Sequence, residues 1–137
     1  MNVLMLLKTK DTLSYLYDTD TLKQGLEELH AQGYTAIPVI TLEGTYAGCV
    51  NEGDFLRYIL RHYGEKFPSY VKIKDIIRPG FNPPVRIDID MDSLLEMSMR
   101  QNFIPVVDDR DFFIGIVTRQ DIIKSFIKEN QDKNNES

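Results

Sequence analysis

The stretch AIPVI at Ala36–Ile40 recurs as FIPVV at Phe103–Val107. In each copy a glycine follows the proline by ten residues and an aspartate follows that glycine by six, which gives Gly48 with Asp54 and Gly115 with Asp121. The offset between the copies is 67 residues for all three matches. Because these residue types are each uncommon, a chance match at one register is on the order of one in several thousand. The sequence therefore predicts an internal duplication.

The size and composition indicate a soluble globular domain. The chain has 137 residues, enough for one domain, and a half of about 60 residues would be marginal alone. We therefore expect the two halves to share a core. Hydrophobic residues make up 42% and charged residues 27% of the chain, which excludes disorder of the whole chain. The net charge of −5 argues against binding of nucleic acid.

The N-terminal apolar run and the single cysteine bear on location and chemistry. The run at Val3–Leu7 is too short to span a membrane, and no signal-peptide pattern follows it. We expect a cytoplasmic protein that does not associate with membranes. Cys49 excludes an internal disulfide framework, and its apolar surroundings favour a buried, inert thiol.

Each half has the order strand, helix, strand, strand, helix. In the first half, Thr21 and the residues before it are typical of a helix start and Gly33 of a helix end. The helix after Asn51 places Phe55, Ile59 and His62 on one stripe. The predicted strands and helices of the second half are residues 85–87, 92–100, 103–107, 113–117 and 118–129. The first-half strands are residues 13–17, 35–40 and 46–50.

These elements divide the chain into two repeats. We assign residues 1–62 to the first repeat, 63–84 to a connector with one helical turn, 85–129 to the second repeat and 130–137 to a frayed, flexible tail. One copy alone leaves an apolar sheet face uncovered, so we expect the copies to stack face to face. This arrangement leaves two related clefts between the repeats, where ligands would bind.

The segment Gly115–Asp121 carries the chemistry expected of a nucleotide site. Thr118 is at a predicted helix start, where unpaired backbone N–H groups attract phosphate. Arg119 adds a planar cation suited to phosphate oxygens. Asp121 is a carboxylate that can accept hydrogen bonds from a ribose diol.

The doubled pattern resembles the CBS-domain family, in which two tandem repeats form a Bateman module. The second repeat has the whole signature at Gly115–Asp121, and the first departs from it only in having Asn51 where Thr or Ser is usual. The resemblance covers essentially residues 1–130. It implies an α+β fold with two pseudo-symmetric β-α-β-β-α repeats, packed sheet to sheet as one module.

The resemblance also implies which residues line each cleft. In the first, the strand before the proline of one repeat meets the motif of the other, and the N-terminal edge closes over the base; this combines Thr12, Ser14, Thr35, Ala36 and Ile37 with Thr118, Arg119 and Asp121. The mirror cleft combines Asn51, Glu52, Asp54, Asn102 and Phe103. We expect the mirror cleft to bind more weakly, to hold a nucleoside-like group or to be empty, because Glu52 would repel phosphate and Phe103 replaces the small Ala36.

Structural roles would also explain several of these residues. Thr118 and Asn51 have the chemistry of helix caps, and Asp121 and Asp54 that of first-turn partners of the helix dipole. Pro38 and Pro105 shape strand ends. Arg119 is equally consistent with an ordinary surface arginine. Tyr15 and Tyr17 fit a core or a dimer surface better than a platform for a base.

The sequence favours a sensor over an enzyme. His30 and His62 have no carboxylate or cysteine at ligand or triad spacing, so we predict no catalytic residues and no metal site. The segment Gly33–Pro38, with Thr118 and Arg119, is similar to stand-alone CBS proteins of Firmicutes that bind cyclic di-AMP. We expect no required cofactor, an adenine nucleotide ligand (AMP, ADP, ATP or cyclic di-AMP), a homodimer and an unidentified protein effector. The alternative is a structural dimerisation or interaction module with vestigial clefts.

Overall fold

A computed structural model of the chain describes residues 2–68 and 70–136. Its strands are β1 (Lys8–Thr9), β2 (Leu16–Tyr17), β3 (Ala36–Ile40), β4 (Tyr46–Asn51), β5 (Val85–Arg86), β6 (Phe103–Val107) and β7 (Phe113–Thr118). Its α-helices are α1 (Val3–Leu6), α2 (Leu22–Gln32), α3 (Glu52–Arg61), α4 (Met91–Ser98) and α5 (Arg119–Glu136), and short 3-10 helices cover Lys10–Thr12 and Ile73–Asp75.

The helix starts follow from capping side chains. Thr21 caps α2 and exchanges hydrogen bonds with Gln24, and Asn51 caps α3 in the same way with Asp54. Asp90 caps α4 by accepting from the backbone N–H of Ser93. Gly33 ends α2 with a φ of 65°, a left-handed conformation that glycine adopts without a steric penalty. The predicted helix starts and the predicted role of Gly33 are confirmed.

The two sheets repeat one topology, which confirms the α+β fold with two β-α-β-β-α repeats. One sheet has the order β2-β3-β4 and the other β1-β7-β6-β5. Parallel pairing of Leu16 with Val39 matches that of Val85 with Val106. Both hairpins even carry an irregularity at the same place, after Val39 and after Val106.

The segment that precedes each repeat packs against the other repeat. Strand β1 comes before β2, the first strand of the first repeat's own sheet, but it pairs antiparallel with β7 of the second repeat. Residues Ile73 and Ile76 of the connector, in turn, are buried in the core of the first repeat. The two repeats are therefore joined by an exchange of their leading segments.

Each repeat has its own hydrophobic cluster, which corrects the expectation of one shared core. The first is centred on Leu16, Ile37 and Phe55, and the second on Ile104, Val117 and Ile122. Most members of each cluster come from the sheet and the helices of one repeat. The exchanged segments complete them, since Val3 and Leu6 belong to the second cluster.

The two hairpins meet at their turns. Tyr46 stacks on Phe113 with ring centroids 6.1 Å apart, and Tyr15 packs edge-on against the same ring. The Phe113 backbone N–H donates to the Gly44 carbonyl at 3.0 Å, and the Tyr46 N–H donates to the Asp111 carbonyl at 3.1 Å. These contacts fix the repeats at one end of the central strands and leave the other end open.

Several elements differ from the sequence prediction. Helix α1 and strand β1 were not predicted, and the extended segment at residues 13–17 is a strand only at Leu16–Tyr17. Helix α5 continues through Glu136 instead of ending near Glu129, because no glycine or proline stops it. On α3, Ile59 is exposed and Tyr58 packs against the core in its place. None of the helices in the described part of the chain is long and apolar enough to cross a bilayer.

Candidate functional site

A cavity of about 250 Å³ lies between the repeats, at the end of the strands opposite the joined hairpins. Both halves of the chain contribute to it. Its lining comprises Lys8, Leu13, Ser14, Tyr34, Thr35, Ala36, Pro38, Asn102, Phe103, Ile116, Thr118 and Gln120. The cavity is open on one side and combines apolar walls with a few polar groups, the usual composition of a small-molecule site.

Thr118 brings a hydroxyl and a helix start to this cavity. It ends β7 opposite Phe103 and precedes α5. Its Oγ1 accepts from the backbone N–H of Asp121 at 3.1 Å, so the hydroxyl hydrogen stays available to a ligand. The helix start adds backbone donors and the positive end of a dipole at the same edge.

Lys8 is the one charged side chain among the described residues that line the cavity. Strand β1 places it there, with Lys8 opposite Ile116 and Thr9 opposite Gly115. A Cβ atom at Gly115 would clash with the Lys8 carbonyl oxygen, so only glycine lets β1 approach this closely. The Lys8 Nζ lies 3.6 Å from Asp121 Oδ2, and both side chains are partly exposed. This ion pair holds a cation and a carboxylate at the cavity edge.

Four of the residues predicted for the first cleft line the cavity: Ser14, Thr35, Ala36 and Thr118. Asp121 lies beside it through its contact with Lys8. The other three predicted residues are elsewhere. Thr12 is exposed and donates its hydroxyl to the Thr9 carbonyl at 2.7 Å, and Ile37 is fully buried in the first cluster.

Arg119 points away from the cavity, which corrects its predicted place. Its Nε donates to the Ser98 carbonyl at 2.7 Å, so the guanidinium lies between α5 and the end of α4. The reason is the change of element, because Thr118 is the last residue of β7 and Arg119 is the first residue of α5. Thr118 and Arg119 therefore face different sides, and Lys8 supplies the cation at the cavity.

The residues predicted for the second cleft are not gathered around one cavity. Asn102 and Phe103 line the cavity described above. Asn51 is the cap of α3, and exposed Glu52 lies 3.7 Å from His30 Nε2. Asp54 lies in the first turn of α3 and is buried. It accepts hydrogen bonds from the Asn51 N–H, Arg57 and Arg78.

Two polar side chains near the mirror cleft form hydrogen bonds within the protein. Gln101 stands 67 residues after Tyr34. It is buried and its Nε2 donates to the Pro83 carbonyl at 3.1 Å. Arg78 plays the part that Lys8 plays in the other repeat, since its Nε contacts Asp54 at 2.7 Å. The carboxylate of Asp54 thus has its partners within the protein.

Sequence reasoning missed six lining residues: Lys8, Leu13, Tyr34, Pro38, Ile116 and Gln120. Tyr34 and Gln120 adjoin predicted site residues and could have been included on that ground. Leu13 lies next to Ser14, and Pro38 and Ile116 are in the predicted strands. Nothing in the sequence marked Lys8, because its place depends on the pairing of β1 with a strand over 100 residues away.

The described residues contain no group of His, Cys, Asp and Glu that could hold a metal ion. The cysteine is buried, as predicted. Burial, together with the charge of Asp54, raises the pKa of the Cys49 thiol to about 12. The thiol is therefore protonated at neutral pH and is a poor nucleophile.

Comparisons with known proteins agree with this architecture. The profile of the family described as CBS domain matches residues 9–61 and again residues 73–128. A structure of CbpB in complex with c-di-AMP aligns with a TM-score of 0.89 at 21% identity, covering 100% of this chain and 91% of that one. The CbpB protein of Listeria monocytogenes, also in complex with c-di-AMP, aligns with a TM-score of 0.78 at 22% identity, covering 91% and 94%.

A more distant structural match is CBSX2 in complex with AMP. It aligns with a TM-score of 0.75 at 22% identity and covers 94% of this chain and 98% of that one. No curated protein sequence matches the chain significantly. At these identities, the structural matches establish the fold.

Proposed function

The chain belongs to the CBS domain family, and from that premise we propose that it is a non-catalytic regulatory sensor. Its ligand is an adenine nucleotide, bound in the cavity between the repeats. Binding changes the surface that the protein presents to a protein effector. The observation that carries this proposal is the cavity itself, which is lined from both repeats and has one cation and one helix start at its edge.

The polar groups of the cavity suit the parts of a nucleotide. Lys8 and the N–H groups at the start of α5 face the position for a phosphate. Asp121 is free to accept from a ribose hydroxyl once a phosphate takes Lys8 from it, because the present contact is 3.6 Å and partly exposed. The backbone groups at Thr35 form hydrogen bonds with the edge of the adenine ring, and Tyr34 and Phe103 supply aromatic surface for the base.

The relatives narrow the ligands worth testing. Solved structures of similar fold contain c-di-AMP or AMP. We extend this to AMP, ADP, ATP and cyclic di-AMP for the present chain. We expect the second cleft to stay empty, because its polar side chains already bind each other or the backbone: Gln101 donates to Pro83, and Arg78 donates to Asp54.

The remaining parts of the proposal concern assembly and location. The protein is a cytoplasmic homodimer that binds neither nucleic acid nor membranes and needs no metal or cofactor. Support for the dimer comes from apolar side chains left exposed on two helices, Leu56 and Leu60 on α3 and Ile123 and Ile127 on α5.

Thermal unfolding with titrated ligands tests the proposal. AMP, ADP, ATP and cyclic di-AMP are compared, with GMP as the control. A ligand that binds only the folded state adds about 2.7 kcal/mol at a hundredfold excess over its dissociation constant. A saturating shift with an adenine ligand supports the sensor; absence of a shift with all four contradicts it.

The second candidate is a structural module whose clefts no longer bind ligands. The second cleft favours this candidate, because Asp54 and Gln101 are buried there and hydrogen-bonded within the protein. This candidate predicts the same homodimer but no ligand-dependent stability. The thermal titration therefore separates the two functions.

A further inference from the structure

The N-terminal segment of residues 2–9 carries α1 and β1 and contributes Lys8 to the cavity between the repeats. Val3 and Leu6 are its two buried residues, whereas Leu4 and Met5 are exposed. Strand β1 pairs with β7 at two positions. Segments with few buried side chains and few paired backbone groups open at a lower free energy than the rest of a protein. We therefore expect residues 2–9 to detach before either sheet unfolds.

The connector, which makes the reciprocal exchange, is held by more contacts. Ile73 and Ile76 are buried in the first cluster. The Ile73 N–H also donates to the Asp20 carbonyl at 2.9 Å. Arg78 Nε donates to Asp54 Oδ1 at 2.7 Å, and that carboxylate has no exposed area. Of the two exchanged segments, the one that borders the cavity is therefore the more easily detached.

Lys8 links this segment to the ligand site. It is the one charged side chain among the described lining residues, and β1 places it opposite Ile116, which also lines the cavity. Its ion pair with Asp121 is 3.6 Å long and partly exposed, so it adds little to the hold on the segment. A phosphate that contacts both Lys8 and the N–H groups at the start of α5 adds a stronger link between the segment and the second repeat.

We infer that residues 2–9 form a strap whose docking on β7 is coupled to nucleotide binding. The docked strap completes the cavity, and the bound nucleotide holds the strap in place. A ligand shifts an equilibrium only by its difference in affinity for the two states, and the presence or absence of Lys8 supplies that difference. This inference rests on the proposed function and names the element of the sensor that responds to the ligand.

Gly115 offers a way to detach the strap by one substitution. The three atoms nearest to a Cβ added at Gly115 all belong to Leu7 and Lys8, and the Lys8 carbonyl oxygen would clash with it. Gly115 itself is not among the residues that line the cavity. Gly115→Ala should therefore displace the strap while the lining side chains of the second repeat stay in place.

Gly48 provides the matched control. It stands 67 residues before Gly115, and its φ of 149° is close to the 157° of Gly115, so alanine meets similar backbone strain at both positions. The three atoms nearest to a Cβ added at Gly48 all belong to the side chain of Ile77 in the connector. Gly48→Ala therefore disturbs the connector and leaves the strap docked.

Hydrogen exchange followed by mass spectrometry tests the wild-type chain. Without ligand, residues 2–9 should exchange at least about tenfold faster than β6. The probes are AMP, ADP, ATP and cyclic di-AMP, each at a hundredfold excess over the dissociation constant that calorimetry gives. A nucleotide that binds should slow the exchange of residues 2–9 at least about tenfold, because it binds the docked form preferentially.

The outcomes separate this inference from the proposed sensor. Saturable binding with unchanged exchange of residues 2–9 would overturn the strap and leave the sensor standing. Exchange of residues 2–9 in the free protein that is as slow as that of β6 would also overturn it. Absence of binding by all four nucleotides would refute the sensor and, with it, the coupling.

The glycine variants test the coupling in the other direction. Gly115→Ala should speed exchange of residues 2–9 and weaken the bound nucleotide at least about tenfold, whereas Gly48→Ala should keep its affinity within about twofold. If Gly115→Ala does not fold, Leu6→Ala replaces it, with Ile76→Ala as control, because both residues are 7% exposed and they lie in opposite clusters. Equal losses of affinity within a pair, or full affinity with the strap detached, would contradict the inference.

Discussion

Asp54 and Asp121 hold the same place in the two repeats, yet the protein uses them differently. Each lies in the first turn of a helix, and each contacts a cation from the segment that leads into the other repeat: Arg78 for Asp54 and Lys8 for Asp121. The Asp54 side chain has no exposed area, whereas that of Asp121 is 32% exposed. Asp54 is a structural group, because it is buried and binds two arginines. Asp121 is exposed, so it can exchange Lys8 for another partner.

This contrast predicts different effects on stability. Asp54→Ala should lower the free energy of unfolding by about 1–3 kcal/mol, because it removes the hydrogen bonds of a buried carboxylate to the Asn51 N–H, Arg57 and Arg78. Asp121→Ala should lower it by less than about 1 kcal/mol, because its ion pair is solvent-exposed. Urea denaturation of both variants measures the difference. Equal losses would mean that Asp121 is as structural as Asp54.

Lys8 and Arg119 provide a second test at the residue scale. Lys8→Ala should weaken the binding of nucleotides about tenfold or more, because the Lys8 cation faces the proposed phosphate position. The affinity for adenosine, which has no phosphate, should be nearly unchanged. Arg119→Ala should have no such selectivity, because its guanidinium contacts Ser98 on the far side of α5. Calorimetry with AMP and adenosine compares them. Phosphate-selective loss in Arg119→Ala alone would restore the assignment made from the sequence.

At the scale of elements, helix α4 depends on one exposed cap. Asp90 accepts from both the backbone N–H and the hydroxyl of Ser93, at 2.8 and 3.0 Å. These hydrogen bonds lower the pKa of Asp90. The carboxylate form is therefore the one that stabilises the helix start.

Asp90→Ala should lower the midpoint of thermal unfolding by a few degrees at neutral pH. Because the folded-state pKa lies below the ordinary value of 3.8, the difference from wild type should be complete at pH 7. It should shrink as the pH falls from about 4 through the folded-state pKa. Unfolding measured from pH 7 to pH 2 checks this. Asp90→Asn is the control, since asparagine caps without titrating and should show no such trend.

Most elements could be predicted from local patterns, and the exceptions share one cause. Helices α2 and α3 carry their own start signals at Thr21 and Asn51, so the sequence alone located them, and α4 begins one residue before its predicted start. Strand β1 has only two residues and no alternation, and it exists because β7 pairs with it. A pairing partner more than 100 residues away leaves no local trace in the sequence.

Contacts between distant segments also explain which residues of the cavity could be predicted and which could not. Ser14, Thr35, Ala36 and Thr118 follow from a doubled motif, so their place could be anticipated. The directions of Arg119 and Ile37 depend on the rotation of a helix and a strand, which spacing alone did not resolve. The structural role of Gln101 at the second cleft depends on its hydrogen bond to the Pro83 carbonyl. Contacts between distant segments decide which side of a duplicated molecule remains open.

At the scale of the whole molecule, the exposed apolar faces predict assembly. Leu60 on α3 is 66% exposed and Ile127 on α5 is 54% exposed. We expect a homodimer at micromolar concentration, and Leu60→Glu should shift it to a monomer by burying a charge at the interface. Light scattering after size exclusion measures the mass. Leu42→Glu, at an equally exposed hairpin site, is the control and should stay dimeric; a monomeric wild type would refute the dimer.

The exchange of leading segments also fixes the order in which the chain matures during its synthesis. The first repeat has all of its core once Ile76 has been made, since the connector that completes it follows directly. Val3 and Leu6, by contrast, are made before either sheet but belong with Val117 and Ile122. At about 5–20 residues per second, they wait roughly 5–20 s for that half of the protein. The segment with α1 and β1 is thus the last to pack into the folded protein, and the cavity between the repeats acquires Lys8 only when the second repeat has been made.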